Sequence, residues 1–174
     1  MKKKETALAV LAALVVIFIG IQFIPVALTN PPVESDIAAT AEVKAILKAS
    51  CYDCHSFESV WPWYSKVAPV SWLLASDANE ARKRMNFSTW NRYTKEKQSV
   101  LISDTIDIIK EGEMPPLPYT WMHRGSVVTP EKLKVLEAWA AGYRKGGNPP
   151  GKLTVREMES NHAPFLHEPR ASNG

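Results

Sequence analysis

The chain has 174 residues, of which 45% are hydrophobic and 22% charged, and its formal net charge is +3. This length predicts one domain with appendages, because domains usually run to about 100–150 residues. The net charge is small and the basic residues are scattered, which argues against nucleic acid as a partner.

The N-terminal residues predict a membrane anchor. The lysines at 2–4 precede an apolar run over residues 7–24 that only Gly20 and Gln22 interrupt. A helix of that length measures about 27 Å, close to the roughly 30 Å hydrocarbon core of a bilayer. Lysines before the span predict a cytoplasmic N-terminus and export of everything after it. A cleaved signal peptide is the alternative, although residues 25–28 lack a good small-x-small site.

Residues 29–40 are predicted to be a linker, because Asn30-Pro31-Pro32 favours extended backbone. The linker should hold the following domain slightly off the bilayer. Residues 42–50 then carry apolar side chains at helical spacing and run directly into Cys51-Tyr52-Asp53-Cys54-His55.

This C-x-x-C-H motif contains both cysteines of the chain and predicts covalent attachment of one haem c. Each thiol adds across a haem vinyl group, and the adjacent histidine reaches the iron from the proximal side. The motif therefore assigns Cys51 and Cys54 to the thioether bonds and His55 to the iron.

Three alternatives explain the motif less well. Structural zinc takes about four nitrogen or sulfur ligands, and the sequence has no second cysteine pair and no His-x-x-x-His run. A thioredoxin-type thiol pair expects a βαβ pattern, whereas the flanks look helical. A disulfide between residues three apart would close a small, strained loop and leave His55 without a role.

The segment after the motif carries a cluster of aromatic residues. Trp61, Trp63 and Tyr64 surround Pro62, which predicts a loop with apolar side chains large enough to wall a porphyrin. Core filling is the alternative for each aromatic taken singly. A helix is predicted over residues 69–85, where the arginines are either solvated or paired with a haem propionate; the two candidates are Arg82 and Arg84.

A third helix is predicted over residues 94–111 and ends at Gly112. Met114 follows in a proline-rich loop, where its thioether could be presented to iron as the distal ligand. The prolines reduce the entropy lost in fixing that loop. The alternative is that Met114 fills a gap in the core.

The last predicted helix begins at Pro130 with Thr129 as its cap and stops at Gly146-Gly147. The predicted domain organisation is an anchor at 1–28, a linker at 29–40, a haem domain at 41–147 and a loosely ordered tail at 148–174. The tail contains His162 and His167, for which a second metal site stays an open alternative that their spacing alone does not establish.

Taken together, these motifs carry a family resemblance. NPPV, CYDCHS, WPWYS, VAPVSWLL, NFSTW, GEMPP and EAWA resemble a family of small membrane-anchored bacterial haem-binding domains, allied to class I cytochromes c. The resemblance covers about residues 30–146. It implies an all-α, cytochrome c-like domain around one covalent haem on the periplasmic side of the inner membrane, with Met114 as distal ligand by similarity to cytochromes c.

A covalent haem of this kind is compatible with two functions from different classes. The first is a single-electron carrier serving redox partner proteins in or near the membrane, and hence more a carrier than an enzyme. The second is a haem-based sensor, small-ligand binder or peroxidase-like enzyme with an open or displaceable sixth iron position. The role of Met114 discriminates between them.

Overall fold

The computed structural model describes residues 2–146 of the chain. These residues form α-helices, 3₁₀ turns and connecting segments, and they contain no strand. The predicted all-α fold is therefore confirmed. The α-helices are, in chain order, α1 (Lys2–Ile21), α2 (Ala41–Ser50), α3 (Tyr52–His55), α4 (Val70–Arg84), α5 (Lys95–Lys110), α6 (Leu117–Met122) and α7 (Pro130–Gly146).

Helix α1 is long and apolar enough to cross a membrane, with a mean hydropathy of 2.2 over its best window and no buried residue. Signal sequences near the N-terminus share these properties. The helix ends at Ile21, three residues earlier than the apolar run, and residues 22–24 form a turn.

The predicted helices over 42–50, 69–85, 94–111 and 130–146 correspond to α2, α4, α5 and α7 within one residue at each end. Thr40 begins α2 by accepting a hydrogen bond from the Val43 amide, and Thr94 begins α5 by accepting one from the Lys97 amide. The expected cap Thr129 accepts from the Lys132 amide at 3.4 Å. Short caps of this kind satisfy amides that have no partner inside the helix.

The short elements were not predicted from the sequence. They comprise α3, α6, and the 3₁₀ segments Trp63–Lys66, Phe87–Arg92 and Arg124–Ser126, of which the second is broken at Thr89. The Ala68-Pro69 and Met114-Pro115 peptide bonds are cis.

The chain divides into two compact units. The first contains residues up to Val33 and Tyr52–Ser88, and its helix α4 packs on α3 and on Trp63–Lys66. The second contains Glu34–Cys51 and residues 89–146 of the described chain, and its α5 packs on α7.

The core of the second unit is apolar and helical. Buried side chains come from α2, α5 and α7: Val43, Ile46, Leu47, Leu101, Ile102, Ile106, Ile109, Leu136, Trp139, Ala140 and Tyr143. Trp139 and Tyr143 each donate a hydrogen bond to the Ala38 carbonyl, at 3.4 and 3.3 Å, and so join the segment before α2 to this core.

Gly112 ends α5 as predicted, with φ of +77° in the left-handed region. Its amide donates to the Ile109 carbonyl and the Glu113 amide donates to the Ile108 carbonyl, both at 3.1 Å. This pair of hydrogen bonds is the Schellman arrangement, which satisfies carbonyls at a helix end. The predicted tail at 148–174, with His162 and His167, lies outside the described residues.

Candidate haem-binding site

The cysteine-histidine motif lies where α2 ends and α3 begins. The Cys51 amide donates to the Leu47 carbonyl at 2.8 Å and closes α2, and α3 is the single turn that carries Cys54 and His55. Cys51 and Cys54 both lie within the described chain and are not joined by a disulfide. Both residues are partly exposed.

Tyr52 and Phe87 hold the single turn α3 in place. Tyr52 is 2% exposed and stacks on Phe87, with ring centroids 4.9 Å apart and planes inclined by 16°. Phe87 is completely buried. This apolar stacking anchors a turn that is too short to be stable by its own backbone hydrogen bonds.

The imidazole of His55 has a defined orientation. Its Nδ1 lies 3.0 Å from the Met85 carbonyl oxygen. A carbonyl can only accept, so Nδ1 carries the proton and Nε2 keeps its lone pair. Histidine ligands to metals commonly have this second hydrogen bond, which fixes the tautomer and the ring plane.

Burial lowers the pKa of His55, although hydrogen bonds to the Met85 and Ala81 carbonyls raise it and the charge of Arg84 lowers it further. The neutral imidazole is therefore favoured, and this is the form that binds a metal. Sequence reasoning did not identify Met85, because a backbone carbonyl leaves no signal in the sequence.

Burial raises the pKa of Cys54 from 9.0 to about 11, and the charges of Asp53 and Asp77 add to the increase while Arg82 opposes it. The thiol is favoured over the thiolate. Thiolate is the form that attacks a disulfide, so thiol-exchange chemistry is disfavoured at Cys54. Within residues 2–146, no group of three or more His, Cys, Asp or Glu side chains is placed to hold a metal ion.

A network of serine and asparagine hydrogen bonds fixes the loop after His55. The Ser56 hydroxyl donates to the Tyr52 carbonyl and accepts from the Glu58 amide, both at 2.8 Å. The Phe57 amide donates to the Ser88 hydroxyl at 2.8 Å, and the Ser88 amide donates to the Asn86 side chain. The sequence does not predict this network, and its only signal there is the density of small polar residues around the motif.

The three aromatic candidates lie in different environments. Trp61 is half-buried, and the Arg82 guanidinium lies 5.8 Å from its ring centroid. Trp63 is 76% exposed and packs edge-on against Tyr64 at 5.8 Å. Partial burial and the charges of Asp53 and Cys54 raise the pKa of Tyr64.

Two indole N–H groups of the first unit fit an acid-bearing cofactor. The Nε1 atoms of Trp61 and Trp72 are buried and have no acceptor among the described residues. Buried donors usually have a partner, and haem carries two carboxylates that accept hydrogen bonds. The arginine candidate Arg82 instead binds four protein groups of its own unit.

Met114 belongs to the second unit, whereas Cys54 and His55 belong to the first. It lies in the loop between α5 and α6, and it is 40% exposed. Its thioether is therefore not used as core filling. Helix α6, which follows this loop, also exposes three large apolar side chains, Leu117, Trp121 and Met122.

The donor set of the motif fits haem. Two cysteines that form no disulfide flank Tyr52 and Asp53, and His55 presents a neutral, oriented imidazole with Nε2 as the remaining donor. No curated protein and no solved structure matches the chain. A family of haem-binding domains matches residues 16–142, well over half of the chain. The protein therefore belongs to the haem-binding domain family.

Proposed function

We propose that this protein is a membrane-anchored monohaem c-type cytochrome that passes single electrons on the periplasmic side of a bacterial inner membrane. The observation that carries the proposal is the His55 geometry: Nδ1 donates to the Met85 carbonyl at 3.0 Å, immediately after two cysteines at haem-attachment spacing. Class I cytochromes c are the relatives that the resemblance suggests.

In this proposal Cys51 and Cys54 hold the haem by thioether bonds, and His55 Nε2 binds the iron. Bound haem supplies an iron centre that alternates between ferric and ferrous states. The hydrogen bond from His55 Nδ1 to the Met85 carbonyl would keep the imidazole plane fixed in both oxidation states of the iron. Tyr52 and Phe87 keep the turn of the motif rigid, which limits the structural rearrangement that accompanies electron transfer.

Met114 is the proposed distal ligand, and the aromatic residues Trp61, Trp63 and Tyr64 are the proposed walls of the haem pocket. A neutral thioether donates weakly to ferric iron, so methionine ligation raises the reduction potential. Met114 is exposed and is followed by two prolines, which supports its presentation to iron more than a role in core packing.

The membrane part of the proposal rests on α1 and the lysines before it. Helix Lys2–Ile21 is long and apolar enough to span a bilayer, and Lys2, Lys3 and Lys4 favour a cytoplasmic N-terminus. Protease added to spheroplasts should then digest the haem domain while the membrane is intact. Protection until the membrane is broken would contradict this orientation.

Substitution of Met114 by alanine separates an electron carrier from a ligand-binding or peroxidase-like protein. The variant should keep its covalent haem, have a lower midpoint potential than the parent and bind carbon monoxide readily in the ferrous state. The parent should bind carbon monoxide slowly or not at all. Exposed Met122 on α6 offers a matched control, and Met122→Ala should leave spectrum and potential unchanged. Rapid carbon monoxide binding by the parent, with no effect of Met114→Ala, would favour the sensor or enzyme.

A further inference from the structure

The turn after the membrane helix is bound to the folded part of the first unit. The Gln22 side chain accepts a hydrogen bond from the Ala68 amide at 2.9 Å and donates one to the Ala68 carbonyl at 3.2 Å. Its second amide hydrogen bonds the Phe18 carbonyl inside α1 at 2.9 Å. Ala68 is 3% exposed, so Gln22 satisfies both polar groups of a buried residue.

A second attachment lies at Thr29 and Asn30. Arg82 on α4 donates from Nη1 to the Thr29 carbonyl at 2.9 Å and from Nη2 to the Asn30 side chain at 3.1 Å. The Asn30 amide group donates to the Ser59 carbonyl at 2.8 Å. The Asn30 side chain therefore uses both its amide nitrogen and its amide oxygen in hydrogen bonds. This residue was predicted to be part of a linker.

The same arginine reaches the loop that follows the haem motif. Arg82 Nε donates to the Ser56 carbonyl at 2.8 Å, and Nη2 donates to the Ser59 hydroxyl at 2.9 Å. The guanidinium also lies over the Phe57 ring, 5.4 Å from its centroid. One side chain thus joins the segment after the membrane helix to residues directly after His55.

The loop is in turn fixed to the residue between the two cysteines. The Ser59 hydroxyl donates to the Asp53 carbonyl, and the Val60 amide donates to the Asp53 carboxylate at 2.8 Å. A continuous series of hydrogen bonds therefore runs from Asn30 through Ser59 to Asp53. All of these residues lie in the first unit.

We propose that residues 22–30 form a docked strap that holds Cys54 and His55 in one orientation relative to the membrane helix. A free linker would let the haem sample many angles to the bilayer. The strap instead presents it at one angle, which fits a redox partner that is itself fixed in the same membrane. The inference rests on the proposed haem attachment and membrane anchoring.

Electron paramagnetic resonance of the ferric holoprotein in oriented membrane multilayers tests the orientation. The parent signal should change with the angle between the magnetic field and the bilayer normal, because all haems share one tilt. Gln22→Ala and Asn30→Ala should remove this angular dependence. Arg82→Gln should do the same, and the first two variants keep the test decisive if the half-buried arginine is required for folding.

Matched substitutions on exposed positions of α4 serve as controls. Asn79→Ala and Lys83→Gln remove an exposed amide and an exposed cation from α4, and they should keep the angular dependence of the parent. A parent signal that is independent of angle would overturn the docked strap. Unchanged angular dependence in both Gln22→Ala and Asn30→Ala would overturn the assigned contacts.

The partner is tested in native membrane vesicles by the rate at which the endogenous reductant reduces the haem. The rate should fall several-fold in Gln22→Ala and Asn30→Ala while both controls match the parent. Equal rates in all variants would overturn a partner that requires one orientation. A parent without covalently bound haem would instead contradict the proposed function, and the absorption spectrum shows this before either measurement.

Discussion

Helices α5 and α7 of the second unit pack large apolar side chains into a shared core, whereas the first unit fixes Cys54 and His55 mainly with hydrogen bonds from side chains to backbone. Its loop after the motif has few apolar anchors and many buried serines. The stability of the second unit comes from burial of apolar side chains. The geometry of the first unit is instead set by hydrogen bonds of single residues. The hydrogen-bonded arrangement of the first unit suits a segment that must hold a cofactor at defined atoms.

The largest effect is expected in the apolar core of the second unit. Ile106 on α5 is 1% exposed, and Ile106→Ala should lower the free energy of unfolding by about 2–5 kcal/mol because it leaves a cavity. Chemical denaturation of the full-length holoprotein in detergent measures this. The half-buried Ile108 on the same helix is the matched control, and equal losses at the two positions would contradict a core centred on Ile106.

In the first unit, loss of the single hydroxyl of Ser56 should lower the free energy of unfolding measurably. Ser56 is completely buried and makes two hydrogen bonds, to the Tyr52 carbonyl and from the Glu58 amide. Ser56→Ala leaves both groups without that partner and should cost about 1–3 kcal/mol.

Ser76 is exposed on α4, so Ser76→Ala should change the free energy of unfolding by less than about 0.5 kcal/mol. Denaturation curves of the two alanine variants compare a buried with an exposed serine. A neutral Ser56→Ala would show that the hydrogen-bond network contributes little to the first unit.

A smaller effect is expected at the glycine that ends α5. Gly112→Ala should lower stability by about 1 kcal/mol, because φ of +77° is strained for a residue with a Cβ atom. Gly125 has open space around it and does not have a positive φ, so Gly125→Ala should be close to neutral. Thermal unfolding of the two variants would contradict this prediction if Gly125→Ala were the more destabilised.

The smallest effect is confined to alkaline pH. Burial raises the pKa of Tyr143 to about 12, while its hydrogen bond with Trp90 lowers it. The unfolded state releases this proton near pH 10, so above that pH the folded state binds more protons and stability falls as pH rises. At pH 10.5 the loss from this group is at most about 1 kcal/mol.

Tyr143→Phe removes the ionisable hydroxyl and should flatten the decline in stability between pH 9 and 11. The comparison uses the slope with pH, because the variant also loses the hydrogen bond to the Ala38 carbonyl at every pH. Identical slopes for parent and variant would exclude Tyr143 as the source.

The predictability of the two units differs for the same physical reason. Helical periodicity and caps predicted α2, α4, α5 and α7 almost to the residue, and Gly112 predicted the end of α5. Periodicity carries no information about the Arg82 contacts or the Met85 carbonyl, because these depend on tertiary placement of single donors and acceptors. The short helices α3 and α6 likewise have too few residues for a periodic signal.

The motif predicts haem as the cofactor, but it does not predict which residues hold the motif in place. Cys51, Cys54 and His55 were identified from adjacent letters, and the family match agrees with haem binding. The linker prediction covered residues 29–40, yet Thr29 and Asn30 bind Arg82 and Ser59. Asn-Pro-Pro predicts extended backbone but does not predict what that backbone will contact.

Covalent haem on Cys51 and Cys54 is tested most directly by denaturing gel electrophoresis followed by haem staining of the purified full-length protein. Thioether bonds survive denaturation, so the parent band should stain for haem and keep the absorption of a haem whose two vinyl groups are saturated. The double variant Cys51→Ser, Cys54→Ser should show no stain at equal protein load. An unstained parent band, or a double variant that retains the stain, would contradict covalent attachment through these cysteines.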